Sequence, residues 1–202
     1  NNKIKKTTFY VYKNQTIMIK KSFLLVLIAS LLIIGCSNND KFIIEKGKVG
    51  LMTPKTTVKE LDKIFENDSI VKNLSEGALG DNYFQDDDEY LIFEKGGKHL
   101  LTIVPNEQLD STSTIKSIQI HDVRFKTKEG INLNSSFSEI NAANRLRPES
   151  TLRSVTLFVD ELNATMAIDK SELGLSSFSS QKVSLAQIPD LAKIKSFVVW
   201  FN

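Results

Sequence analysis

The hexapeptide TTVKEL at residues 56–61 returns 79 residues later as SSFSEI at 135–140, and TIKSIQI at 114–120 returns at the same spacing as KIKSFVV at 193–199. Gly50 and Gly130, 80 residues apart, precede the two copies. Two separated matches at one offset predict a tandem duplication, so the chain is expected to build the same small unit twice.

Each copy opens with a helix signal. Thr57 with Glu60, and Ser136 with Glu139, have the spacing of a capping box, in which a hydroxyl and a carboxylate satisfy amides at the helix start. Val58, Leu61 and Phe65 then share one helical face, as do Phe137 and Ile140. Pro54 lies ahead of the first cap, where proline is tolerated. A hairpin is predicted next. YLIFE and HLLTIV flank Lys95-Gly96-Gly97-Lys98 in the first copy, and VTLFVDE and ATMAID flank a turn at Leu162-Asn163 in the second. TIKSIQI and KIKSFVVWF close the copies as third strands. The expected fold is α+β: tandem duplicated helix-plus-three-strand units over 42–127 and 128–202, forming antiparallel sheet with helices on one face. Asn73–Glu89 and the serine-rich stretch Gly174–Pro189 read as loops, with LAQI able to form a helical turn.

The chain has one cysteine, Cys36, at the end of an oily run. Lys20 and Lys21 precede Phe23–Ile34, an apolar run of 12 residues, in the order of a secretory signal. A membrane-spanning helix needs about 20 residues, so this run is expected to be removed rather than retained. Ile33-Ile34-Gly35-Cys36 resembles the lipobox of bacterial lipoproteins. That resemblance implies cleavage between Gly35 and Cys36 and acyl chains on Cys36 that fix the protein to a bilayer. Each buried methylene contributes about 0.8 kcal/mol, and several chains on one residue anchor far more firmly than one. Residues 1–17 read as an upstream extension before Met18, 18–35 as a lipoprotein signal peptide, and 36–41 as the lipidated cysteine and tether. Ser37, in place of an aspartate, favours the outer membrane within this class.

The first 35 residues hold six lysines and no acid, so 20 basic and 24 acidic residues remain beyond them. A segment with this acidic balance has no means of neutralising a phosphate backbone, which excludes nucleic acid as an expected partner. With Cys36 acylated, no thiol remains for a disulfide, a zinc site or a nucleophile.

The strings GKVGLMTPKTTVKELDKIF, TIKSIQIHD and TKEGINLNSSFSEI, with the terminal IKSFVVWF, resemble the YfeY-type lipoproteins, also called RpoE-regulated lipoproteins. The matching positions are Gly47–Leu51, Thr114–Asp122, Gly130–Ser138 and Ile194–Trp200, and the resemblance covers most of 42–202. It implies an outer-membrane lipoprotein of the cell envelope with no established biochemical activity. The family pattern includes a cysteine pair after the second helix that this chain lacks, so no disulfide-dependent property carries over. The helix-then-sheet unit also looks like the tandem architecture of β-lactamase-inhibitor and outer-membrane assembly lipoproteins, an analogy of fold alone.

Candidate contact residues are few. Asp86-Asp87-Asp88-Glu89 offers hard oxygen ligands, with Asp86 and Asp88 as the calcium candidates, but the spacing and glycine of an EF-hand are missing. A solvated loop is the competing reading. His121 and Asp122 form a candidate acid–base pair, although neighbours on a flat strand point to opposite faces. The apolar parity switches there, from Ile118 and Ile120 to Val123 and Phe125, which predicts a bulge. His99 receives no role. Trp200 and Phe201 are expected to pack in the core or to offer an aromatic contact. No nucleophile elbow, zinc-helix motif or phosphate-binding glycine loop occurs, so neither an enzyme nor a cofactor or metal site is expected. The expected function is that of a noncatalytic, lipid-anchored envelope protein that binds another envelope protein or cell-wall material. The alternative is a small-ligand carrier or sensor with its cleft between the two units.

Overall fold

The structure is a computed structural model that describes residues 39–75 and 87–201. Asp40–Asn202 form a compact unit. Gly35, Cys36, Ser37 and Asp86 lie outside the described residues, as does the whole leader segment.

The chain enters through a short ladder, β1 (Ile44–Glu45) with β2 (Lys48–Val49). Gly50 follows with φ +57°, and a Cβ there would stand 2.5 Å from the Lys41 carbonyl oxygen, so only glycine fits. A 3₁₀ turn, Val58–Glu60, runs into α1 (Leu61–Ile64). The strands β3 (Ser69–Asn73), β4 (Glu89–Phe93), β5 (His99–Pro105) and β6 (Ile115–Ile120) come next. The second half repeats that order with α2 (Phe137–Ala143), β7 (Leu146–Ser150), β8 (Ser154–Val159), β9 (Ala164–Asp169) and β10 (Ser196–Trp200).

Among the described residues, eight strands form one antiparallel sheet in the order β3-β4-β5-β6-β10-β9-β8-β7. The last strand of one half therefore pairs with the last strand of the other, with Val199 opposite Ile118 and Val198 opposite Gln119. Among the described residues each half carries four strands after its helix, one more than the sequence pattern predicts. The extra strands, β3 and β7, are the two edges of the sheet. Pro148 sits in β7 without cost because an edge strand leaves alternate amides unpaired.

Both capping carboxylates hold as the sequence predicts. Glu60 accepts from the Thr57 amide at 2.7 Å, and Glu139 accepts from the Ser136 amide at 2.7 Å. Each helix start is also tied to the segment just before the closing strand of its half. The Val58 amide donates to the Ser113 carbonyl at 3.0 Å and the Phe137 amide to the Ala192 carbonyl at 2.9 Å. Thr57 bridges Thr114, and Ser136 bridges Lys193, in the same antiparallel sense.

The inner sheet face and the helices share one core. Ile92, Leu101, Ile103, Ile118 and Ile120 from one half meet Val155, Leu157, Met166, Ile168, Phe197 and Val199 from the other, with Leu61, Phe65, Phe137 and Ile140 against them. Phe201 is buried as well. The apolar face switch after Ile120 is not a bulge. The strand ends there, and Asp122 starts a turn in which the Phe125 amide donates to the Asp122 carbonyl at 3.1 Å and the Arg124 amide to the Asp122 carboxylate at 2.9 Å.

Candidate functional site

The strands alternate between buried side chains on the inner face of the sheet and more exposed ones on its outer face. The strand registers put one residue from each strand into a single row: Val71, Leu91, Thr102, Gln119, Val198, Thr165, Phe158 and Arg147. Val71 is 52% exposed, Arg147 is exposed, and all the others except Thr102 are half-buried. Thr102 is covered by two imidazole rings, one at the start of its own strand β5 and one just past the end of β6.

Those rings are His99 and His121, stacked with centroids 3.8 Å apart, and Phe93 stacks on the far side of His99 at 4.7 Å. Both Nε2 atoms turn toward the Thr102 hydroxyl, at 3.2 Å from His99 and 3.0 Å from His121. His99 Nε2 also lies 3.0 Å from the Leu101 carbonyl, which only accepts, so that nitrogen carries the proton. The Thr102 hydroxyl, one donor with two acceptor lone pairs, thus sits between the two rings. Burial first, and the neighbouring His99 second, lower the pKa of His121 to about 4.

His121 and Asp122 do not act as a pair. Asp122 is fully buried and belongs to a separate ionic network. Arg124 donates to it through Nε and Nη2, the latter at 2.7 Å, and Lys98 Nζ stands 2.9 Å away. The same guanidinium holds Glu94 through both terminal nitrogens, at 2.8 and 2.9 Å. Burial pushes the Asp122 carboxyl up, but the hydrogen bonds from Arg124 and Lys98 overcome it and hold the group well below the usual carboxylate range. Arg124 is raised in turn by the Asp122 and Glu94 hydrogen bonds, and its guanidinium sits over the Phe42 ring at 4.6 Å.

Asp88 is likewise a structural group and not a free ligand. Its carboxylate accepts from the Ser75 amide at 2.8 Å, the Ser75 hydroxyl at 2.7 Å and the Leu109 amide at 2.6 Å, closing a loop around it. Burial opposes its ionisation, and these three donors more than offset that. Asp87 pairs with Lys116 at 3.4 Å. Among the described residues, no three His, Cys, Asp or Glu side chains gather closely enough to hold a metal ion.

At the other end of the outer face lies a groove of about 380 Å³ lined by Thr156, Phe158, Asp160, Asn163, Thr165 and Trp200. Trp200 is half-buried, and its indole N–H donates to the Thr165 hydroxyl at 3.1 Å, which fixes the ring. Asn163, at φ +50°, closes the β8–β9 turn and donates to the Trp200 carbonyl at 2.9 Å. Arg147 stacks over Phe158 at 4.5 Å and reaches Asp160 at 3.3 Å. Thr165, Phe158 and the histidine–threonine cluster carry no motif; they emerge only when the register of the sheet is known.

No family model and no curated protein matches this chain. A solved crystal structure, that of the uncharacterized protein yfeY from Escherichia coli, is similar to it with a TM-score of 0.47 and 11% identity, over 78% of this chain and 98% of that one.

Proposed function

We propose that this chain is a lipid-anchored protein of the bacterial cell envelope, held by acyl chains on Cys36, that binds another envelope component without transforming it. The observation that carries the binding half of this reading is the outer face of the sheet. Leu91, Val198, Phe158 and Trp200 stand half-exposed among the hydroxyls of Thr156 and Thr165, a mixture that suits a partner surface better than bulk water. The lipobox resemblance supports the anchor, Ser37 the outer membrane, and the acidic balance beyond residue 35 argues against nucleic acid. On this reading the chain is a YfeY-type lipoprotein, and its two halves descend from a duplicated unit. Support for the duplication is the cap-to-strand bonding of Thr57 and Thr114, repeated by Ser136 and Lys193 at one spacing.

The carrier reading needs a cavity. The two halves meet in the hydrogen-bonded ladder of β6 and β10, so the groove beside Trp200, and not the junction, is the concavity such a ligand would use.

A photo-crosslinking amino acid placed at Leu91 and, separately, at Phe158 tests the proposal in intact cells. The same envelope partner is expected from both positions, and Val198→Arg should abolish its capture without changing the unfolding midpoint. Capture of nothing from either position, in a chain that is folded and membrane-bound, contradicts the proposal.

A further inference from the structure

Two large apolar side chains project at one end of the sheet. Leu152, in the turn between β7 and β8, is 61% exposed, and Phe178, in the serine-rich loop after β9, is 66% exposed. They belong to one built tip. The Ser179 amide donates to the Leu152 carbonyl at 3.0 Å, and the Arg153 guanidinium stacks on the Phe178 ring at 4.8 Å. Beneath them Lys170 is fully buried, and its ammonium donates to the carbonyls of Ser179 and Gln181. A buried cation spent on two loop carbonyls holds the loop against the sheet, so the exposure of Phe178 is a fixed feature of the fold.

The same end receives the incoming chain. Ser154 opposes Asp169, Ser196 opposes Ala167 and Val198 opposes Gln119, which levels the β7–β8 turn with the end of β6. Just past that end the Lys126 amide donates to the Phe42 carbonyl at 2.9 Å, and the Phe42 ring packs edge-on against Phe125. β6 and β8 are three strand spacings apart, about 15 Å. Four peptide steps separate Cys36 from Asp40, a reach of at most about 14 Å. A bilayer holding acyl chains at Cys36 therefore lies within reach of the whole sheet end. Lys95, Lys126, Arg153 and Lys182 are exposed there, against the exposed Glu149 and Glu172, while Asp169 is paired with Lys195 at 2.8 Å.

We infer that Leu152 and Phe178, flanked by Arg153 and Lys182, form a second membrane contact, dipping into the surface of the bilayer that holds the anchor and orienting the outer sheet face beside it. The inference rests on the anchor reading. A short tether confines the tip near the surface, so even shallow insertion of two side chains is favoured by high effective concentration.

The test uses the full chain, processed in its bacterial membrane and reconstituted into vesicles of phosphatidylcholine and phosphatidylglycerol, with and without lipid brominated on its acyl chains. Phe178→Trp and Leu152→Trp each report from the tip. Trp200, at the opposite end of β10, reports from the unsubstituted chain. Vesicle binding should blue-shift the tip emission and brominated lipid should quench it, while leaving that of Trp200 unchanged. The mass of the Cys36 peptide is measured on the same preparation. Acylated, vesicle-bound chain whose tip emission at both positions is untouched by bromine overturns the inference and leaves the anchor standing. Tip emission shielded only at high protein density, through contact with a second copy, overturns it equally. A Cys36 peptide without acyl chains overturns the anchor and the inference with it.

Discussion

His121 Nε2 lies 3.0 Å from the Thr102 hydroxyl, and burial beside His99 keeps that imidazole neutral on the outer face of the sheet. The folded pKa is about 4 against an ordinary 6.5. The unfolded chain therefore binds more protons between those values, and stability falls as pH drops from about 6.5 toward 4. Asp122 and Glu94, whose values are depressed in the fold, add their own loss only at lower pH. Urea unfolding at pH 7 and pH 5 should show the drop in the native chain and a smaller one in His121→Gln.

Arg124 bridges a fully buried carboxylate and a second one. Arg124→Ala leaves Asp122 with Lys98 as its remaining cationic partner, and the loss is expected at about 3–5 kcal/mol. Asp122→Ala combined with Arg124→Ala should lose less than the sum of the two single changes, because the double variant buries no stranded charge. Additive losses in a double-mutant cycle by chemical denaturation would contradict the pairing.

Gly50 and Gly174 have similar positive φ, +57° and +68°, but only Gly50 faces a backbone oxygen, whereas Gly174 has open space. Gly174→Ala should cost about 1 kcal/mol from backbone strain alone. Gly50→Ala adds a clash with the Lys41 carbonyl and must displace the entering chain, so its unfolding midpoint should fall further. Equal midpoints would show that the entry segment is not packed as described.

Glu60 and Glu139 make the same 2.7 Å bond to their capping amides, and backbone hydrogen bonding lowers the pKa of each. Glu60→Ala and Glu139→Ala should each lower the unfolding midpoint, and the two effects should add in the double variant, since the two caps share no partner. Strong coupling between them, measured by thermal unfolding, would argue against two independent caps.

Much of the scaffold was legible in the sequence, for reasons that can be traced to particular residues. The caps announce themselves through hydroxyl and glutamate three apart, and the central strands through the alternation seen in Val155, Leu157 and Val159. The two edge strands were hidden. SIVKN and LRPES lack that alternation because an edge strand buries little of itself, and Pro148 reads as a breaker until its edge position is known. The role of Lys170 had a faint signal: period two from Met166 and Ile168 puts it on the core side. The candidate pair His121–Asp122 split because the strand ends at Ile120, which sends the two neighbours to different networks. Asp88 stands in an acidic run that reads as a solvated loop or a calcium site, and its three donors come from loops far apart in sequence, which no local pattern reveals.

Residence at a membrane through Cys36 is the central proposal for this chain. The direct measurement is the intact mass of the N-terminal peptide from the membrane fraction of cells making the native chain, beside cells making Cys36→Ser. The expected result is a peptide that begins at Cys36 and carries acyl chains, and an unacylated full-length precursor in the variant. A native chain uncleaved at Gly35–Cys36, or cleaved there without lipid, would contradict it.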